Sequence, residues 1–159
     1  MNDSLFALPA AAMLLLLCAC SSDIEDAGME NRSAESLGIL SVLVEEWNEA
    51  LVNRDFLALE ELYAEDVFVY GDLRTNQEVV SLKRKSLKAD EMWVQQIQGP
   101  IRTSRVPQIK PGLVKTEFLK VSGSESDMDT VLAYLVFEET ESTWRIVQES
   151  DFSTDLVLL

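Results

Sequence analysis

Apolar residues at Leu37, Leu40, Val44, Trp47 and Leu51 recur at three- and four-residue steps, the spacing of one helical face, so the pattern predicts a helix ending near Val52. Asn53-Arg54-Asp55 interrupts it, with Asp55 suited to accept from the free amides of a following helix. Phe56, Leu59 and Leu62 or Tyr63 continue the apolar row over barely two turns. So short a helix is marginal in water and must pack. Its partner is the strand that follows, Val67 to Tyr70, β-branched and aromatic, bounded by Glu65-Asp66 and Gly71. Thr75-Asn76-Gln77-Glu78 has the form of a capping box and opens a third helix to about Leu87. Val79, Val80, Leu82 and Leu87 are its expected inner face; Lys83, Arg84, Lys85 and Lys88 crowd its end, where the helix dipole favours cations.

Beyond Glu91 the helical period gives way to extended segments. Trp93 to Gln98 and Ile101 to Val106 read as one long strand broken at Gly99-Pro100, which implies a bulge or a sheet edge. A second break at Pro107 to Gly112 leads to a strand over Leu113 to Val121, a polar hairpin loop from Ser122 to Asp129, and strands over Thr130 to Glu138 and Trp144 to Ser150. In Thr130 to Glu138 both alternating faces are apolar, which predicts a central strand covered on both sides. Three helices with one early strand, then a run of antiparallel strands, define an α+β layout: a curved antiparallel sheet packed on three N-terminal helices. A sheet curling around short helices leaves a conical cavity.

The first residues add an address. Leu5 to Leu17 is an apolar run of signal-peptide length, too short to span a bilayer as a helix. It ends in Leu17-Cys18-Ala19-Cys20, which resembles the bacterial lipobox and implies cleavage before Cys20 and acylation of its sulfur. No lysine or arginine precedes the run, unlike an ordinary signal peptide. Residues 1–19 are thus expected to be a signal peptide, 20–33 an acylated cysteine and polar tether, 34–151 the folded domain and 152–159 a tail. Ser21, rather than aspartate, follows Cys20; by resemblance to Gram-negative sorting this implies the outer membrane, facing the periplasm. Both cysteines lie in the signal region, so the domain is expected to hold no disulfide.

Net charge is −15, which argues against a protein dedicated to nucleic acid. The distribution is uneven. Arg74 to Lys120 carries ten basic and four acidic residues, net +6, while the rest of the chain carries −21. Arg102, Arg105, Lys110, Lys115 and Lys120 thus suggest a face for an acidic protein partner or a second copy, or simply a solvated sheet surface.

Trp47, Ala50, Asp55, Leu59, Tyr63-Ala64, Asp66-Val67 and the strand into Gly71, with Trp144-Arg145-Ile146-Val147 much later, resemble the nuclear transport factor 2-like superfamily over about Ser36 to Asp151. The resemblance implies a cone-shaped sheet, a cystatin-like α+β roll, and relatives among polyketide cyclases, ketosteroid isomerases and scytalone dehydratases. It does not carry over their chemistry. The chain has no histidine, the acid/base group of the dehydratases and cyclases and the commonest ligand of zinc or iron. With no cysteine in the domain either, neither a metal nor a cofactor is expected. Aligned on Ala64-Glu65-Asp66, the isomerase base position falls on Gly71, one residue before Asp72. An Asp72, Arg74 and Asp151 relay of the epoxide-hydrolase kind is a weaker alternative to solvated loop charges. Asp127-Met128-Asp129 lacks the glycine and distal glutamate of a calcium loop and reads as a turn.

Tyr70 and Tyr134, each on an expected buried strand, are candidates for a pocket, because a buried phenol needs a partner. Trp47 and Gln148 join them as candidate lining, with core packing the alternative for the three aromatic residues. The leading expectation is a lipid-anchored, periplasm-facing, non-catalytic binding module for a small apolar ligand or a protein partner. An isomerase, dehydratase or cyclase working through Tyr70, Asp72 and Tyr134 is the second, and a homodimeric scaffold joined through the sheet the third.

Overall fold

The structure, a computed structural model, describes residues 23–106, 110, 112–124, 127–141 and 143–152. The signal-like run, Cys20 and Ser21 lie outside the described residues, as does the tail beyond Phe152. The chain divides into two units, Met1–Ala34 and Glu35–Leu159. The described part of the first is helical, and the sheet, the core and the clustered polar side chains belong to the second.

Three helices, α1 (Asp23–Val52), α2 (Phe56–Leu62) and α3 (Asn76–Ala89), accompany six strands: β1 (Tyr63–Val69), β2 (Asp72–Thr75), β3 (Val94–Arg105), β4 (Leu113–Ser124), β5 (Asp127–Thr140) and β6 (Thr143–Phe152). Helix α1 starts well before the apolar periodicity, inside the stretch read as a tether, where Glu, Ala and Met are good helix formers. Asp55 caps α2 by accepting from the Ala58 amide at 3.1 Å. Arg54, at φ 57°, turns the chain there and donates to the Asp90 and Glu91 carbonyls, tying the α1–α2 corner to the end of α3. The capping box is present: the Thr75 amide donates to Glu78 Oε2 at 2.8 Å, and the Glu78 amide to the Thr75 hydroxyl at 3.4 Å. The hydrogen bond from the Thr75 backbone holds the exposed Glu78 carboxyl below its usual range.

The strands form one curved, unclosed sheet in the order β2-β1-β6-β5-β4-β3. The β1–β6 pair is parallel and the other neighbours are antiparallel. As the Gly99-Pro100 break implied, β3 is an edge strand with its register shift between Gln98 and Arg102, and Gly99 takes φ 71°. Strand β5 is internal, as its two apolar faces predicted. The β4–β5 hairpin is tighter than expected, since paired strand runs to Ser124 and resumes at Asp127.

One irregularity decides which side chains reach the helices. On β5, Val136 and Phe137 are adjacent, but their partners on β6 are Gln148 and Ile146, so Val147 is an extra residue. Such a bulge shifts the inward–outward alternation by one. Trp144 and Ile146 face inward before it; after it Glu149 faces inward, opposite buried Leu135, and Gln148 faces out. The core lies between this inner face and the helices, with the Trp47 ring edge-on to Phe118 at 5.9 Å and Leu40, Val44, Leu59, Val79 and Val114 fully buried around them.

Candidate functional site

The inner face of the sheet carries charge. Helical spacing places Val79, Lys83 and Leu87 at successive four-residue steps, so Lys83 shares the buried face of α3, while Leu82, expected inside, is exposed. On β4, Val114, Thr116, Phe118 and Lys120 alternate inward, and Lys120 points into the core side instead of belonging to a basic outer surface. Tyr63, where the helical pattern left a choice with Leu62, is the first residue of β1 and fully buried.

These elements converge on Trp47. Its indole N–H donates to the Tyr63 hydroxyl at 3.0 Å, and Tyr63 donates to Glu149 Oε2 at 2.5 Å. The Lys83 ammonium pairs with the other Glu149 oxygen. Lys120 Nζ lies 2.8 Å from Asp151 Oδ1, an ion pair whose approach is too oblique for a hydrogen bond, while the Tyr70 hydroxyl donates to Asp151 Oδ2 at 3.2 Å. Both ammonium groups stand 5.9 Å from the Trp47 ring centroid, and Lys83 also lies 5.7 Å from the Tyr70 ring. Two lysines and two carboxylates therefore balance one another around a tryptophan and two phenols.

The cluster is graded from floor to rim. Glu149 is 1% exposed, Lys120 7% and Lys83 13%, whereas Asp151 is 25% exposed and Tyr70 51%. Tyr70 and Gly71 form the two-residue turn between paired Val69 and Asp72, with φ 52° and 92°. This is the primed hairpin geometry that normally selects Asn-Gly. A tyrosine there costs about 1 kcal/mol of backbone strain. The Tyr70 amide offsets part of it by donating to the Glu149 carbonyl at 3.1 Å, and the turn sets the phenol against Asp151 and Lys83.

Electrostatics moves the acid and the phenols in opposite directions. Burial by itself raises the Glu149 carboxyl, but Lys83, the Tyr63 hydrogen bond and Lys120 together hold it below its usual range. Tyr63 is pushed well above the ordinary tyrosine value by burial, then by the Glu149 charge, with the Trp47 hydrogen bond opposing. Tyr70 is raised by burial and by Glu149 and Asp151; half its surface faces solvent, so burial weighs less on it than on Tyr63.

Of the residues singled out from the sequence, Trp47 and Tyr70 meet in this cluster. Tyr134 and Gln148 are brought together on the outer face of the sheet, where the Gln148 amide donates to the Tyr134 hydroxyl at 2.8 Å. Asp72 forms an exposed ion pair with Arg74 at 2.8 Å, while Asp151 pairs with Lys120 and Tyr70 instead. Glu149, Lys83 and Lys120 were the members sequence reasoning missed, although Lys83 was legible in the 79-83-87 spacing. Three lysines of the basic stretch form ion pairs, Lys110 with Glu138, Lys115 with Glu117 and Lys120 with Asp151. Among the described residues no group of acidic side chains is arranged to hold a metal ion, and Asp127 and Asp129 open β5. A separate open groove of about 260 Å³ lies between α1 and α2, rimmed by Glu46, Glu49, Asp55 and Glu61.

A family model described as the SnoaL-like domain matches residues 40–151, and the chain belongs to that family. Solved structures repeat the fold. An NTF2-like protein with a cystatin-like fold from Novosphingobium aromaticivorans superposes with a TM-score of 0.65 at 17% identity, over 84% of this chain and 92% of its own. An NTF2-like protein of unknown function from Pseudomonas putida KT2440 gives 0.63 at 15% identity, over 77% and 92%. Bd1075 of Bdellovibrio bacteriovorus gives 0.60 at 18% identity over 74% of this chain, which spans only 41% of that longer one. Among curated proteins, none matches the chain in sequence. The expected nuclear transport factor 2-like, cystatin-like α+β fold is thus the observed one.

Proposed function

We propose that this chain is a lipid-tethered, periplasm-facing binding module of the SnoaL-like family, holding a small molecule at the rim of the inner cluster and performing no proton-transfer chemistry. The observation that carries it is the pairing within the cluster, Glu149 held by Lys83 and Tyr63 and Asp151 by Lys120 and Tyr70, and the pKa directions agree with it. A general acid or base works best with a pKa near the operating pH, which in carboxylates means raised and in phenols lowered. Here the buried carboxylate Glu149 is lowered and both phenols are raised, so all three hold one protonation state at neutral pH. Fixed donors and acceptors suit recognition. The tether rests on the Leu17-Cys18-Ala19-Cys20 motif, with acylation at Cys20.

Native mass spectrometry of the full chain, extracted in detergent from its own host, tests the reading. A stoichiometric small-molecule adduct that is lost in the Tyr70→Ala variant is expected. A bare chain, or an adduct the variant retains, counts against the rim as the site, and release of a chemically altered molecule replaces the module with an enzyme. A protein-partner or homodimer reading draws on the outer face, where Phe68, Leu73 and Leu119 are exposed beside the Tyr134–Gln148 pair. A mass that rises with concentration supports the homodimer, and a strictly monomeric chain removes it.

A further inference from the structure

The inner cluster contains two ion pairs of unequal permanence. Glu149 is held by two hydrogen bonds, is 1% exposed and sits in mid-strand opposite Leu135, so nothing small can take its place without unpacking the core. Asp151 is 25% exposed, lies near the end of β6, accepts one long hydrogen bond from Tyr70 and meets Lys120 obliquely. Its partners are the better fixed. Lys120 is 7% exposed, anchored on β4 next to Phe118 and opposite Ile97 of β3, and Tyr70 is set by its hairpin turn. An ammonium and a phenolic hydroxyl converging on two oxygens of one carboxylate are the donors that recognise carboxylates generally.

We infer that Lys120 and Tyr70 form a carboxylate-binding site, that Asp151 fills it in this structure as an internal stand-in, and that its ligand is a small carboxylic acid with an apolar body. The inference rests on the rim reading above and names the ligand class for it. Charge favours a monoanion: when Asp151 turns out to solvent, Lys83 and Glu149 still cancel and Lys120 is left uncompensated. Tyr70 stays protonated and donating across the neutral range. The apolar body has half-buried Ile97, opposite Lys120 on β3, to pack against.

The test uses the 15N-labelled full chain in dodecyl maltoside micelles, titrated with cyclohexanecarboxylate and with cyclohexylmethanol, a pair that differs in the carboxylate alone. Cyclohexanecarboxylate is expected to shift the Trp47 indole and Tyr70 amide resonances saturably and to bind about tenfold tighter than the alcohol, the worth of one charge-assisted contact. Asp151→Asn removes the competing charge, so it should tighten the acid by about tenfold more and leave the alcohol unchanged, a gain that misfolding cannot imitate. Lys120→Met should abolish the preference for the acid. Equal binding of both probes at these resonances, or no tightening in Asp151→Asn, overturns the carboxylate site while leaving the rim reading standing. Silence at Trp47 and Tyr70 with both probes, in wild type and in Asp151→Asn, overturns both.

Discussion

Two lysine–glutamate pairs lie on opposite sides of one sheet, Lys83–Glu149 within the core and Lys115–Glu117 on the outer surface, and their chemistry is the same while their surroundings are not. Inside, Glu149 is 1% exposed and also accepts from a buried tyrosine. Outside, the Lys115 and Glu117 side chains are 29% and 31% exposed, and the pair sits at 2.8 Å beside the Tyr134 ring. Water screens the outer pair and would hydrate either partner if the other were removed. The inner pair has no such recourse, because its desolvation has already been spent in folding. Position therefore separates an ion pair that organises the protein from one that decorates it.

The largest effect follows from breaking the inner pair on one side. Glu149→Leu leaves the Lys83 ammonium and the Tyr63 hydroxyl without their buried acceptor, and urea unfolding should show a loss of about 3–5 kcal/mol. Combining it with Lys83→Met removes the stranded charge and should recover much of that loss, the sign that the first variant measured an unpaired charge and not the worth of the bridge. Should Glu149→Leu cost no more than Glu117→Leu, the distinction between the two faces collapses.

The dependence on pH comes next. The folded Glu149 carboxyl lies below its unfolded value, so the unfolded chain takes up protons first on acidification. Stability from this group is complete above its unfolded pKa of about 4.3 and falls as pH drops through the folded value. The phenols mirror this at the alkaline end. Tyr63 and Tyr70 are raised in the folded state, so their contribution is complete below the unfolded pKa of 10.0 and is lost as pH rises above it. Urea midpoints from pH 3 to 11 should show both limbs, with Tyr63→Phe flattening the alkaline one; a limb unchanged in that variant would mean another group sets it.

Smaller still is the contrast between hydroxyls. Tyr63→Phe removes a buried bond to a charged acceptor and should cost about 1.5–3 kcal/mol, whereas Tyr134→Phe removes a half-exposed bond to Gln148 and should cost about 1 kcal/mol or less. At the bottom, Lys115→Met should change stability by under about 1 kcal/mol and respond to salt. A salt-independent loss of the Tyr63→Phe size from Lys115→Met would show that the outer face is covered in solution, as a sheet-to-sheet dimer requires.

The sequence by itself determined what is periodic or local. Leu37, Leu40, Val44, Trp47 and Leu51 mark the buried face of α1, Asp55 and Thr75 start the next two helices, and Gly99-Pro100 marks an edge strand, because each signal acts within a few residues. Lys83 was readable on the same terms, as the residue midway between Val79 and Leu87, though its charge invited an explanation by the helix dipole. Only the tertiary structure decided the composition of the cluster. Alternation from buried Ile146 sends Gln148 inward, and the extra residue Val147 sends Glu149 there instead. A bulge is set by how β6 pairs with β1 on one side and β5 on the other, and no residue of β6 announces it. Likewise, Tyr70 and Asp151 are 81 positions apart, and Lys83 and Glu149 66, so their meeting belongs to strand order and not to spacing.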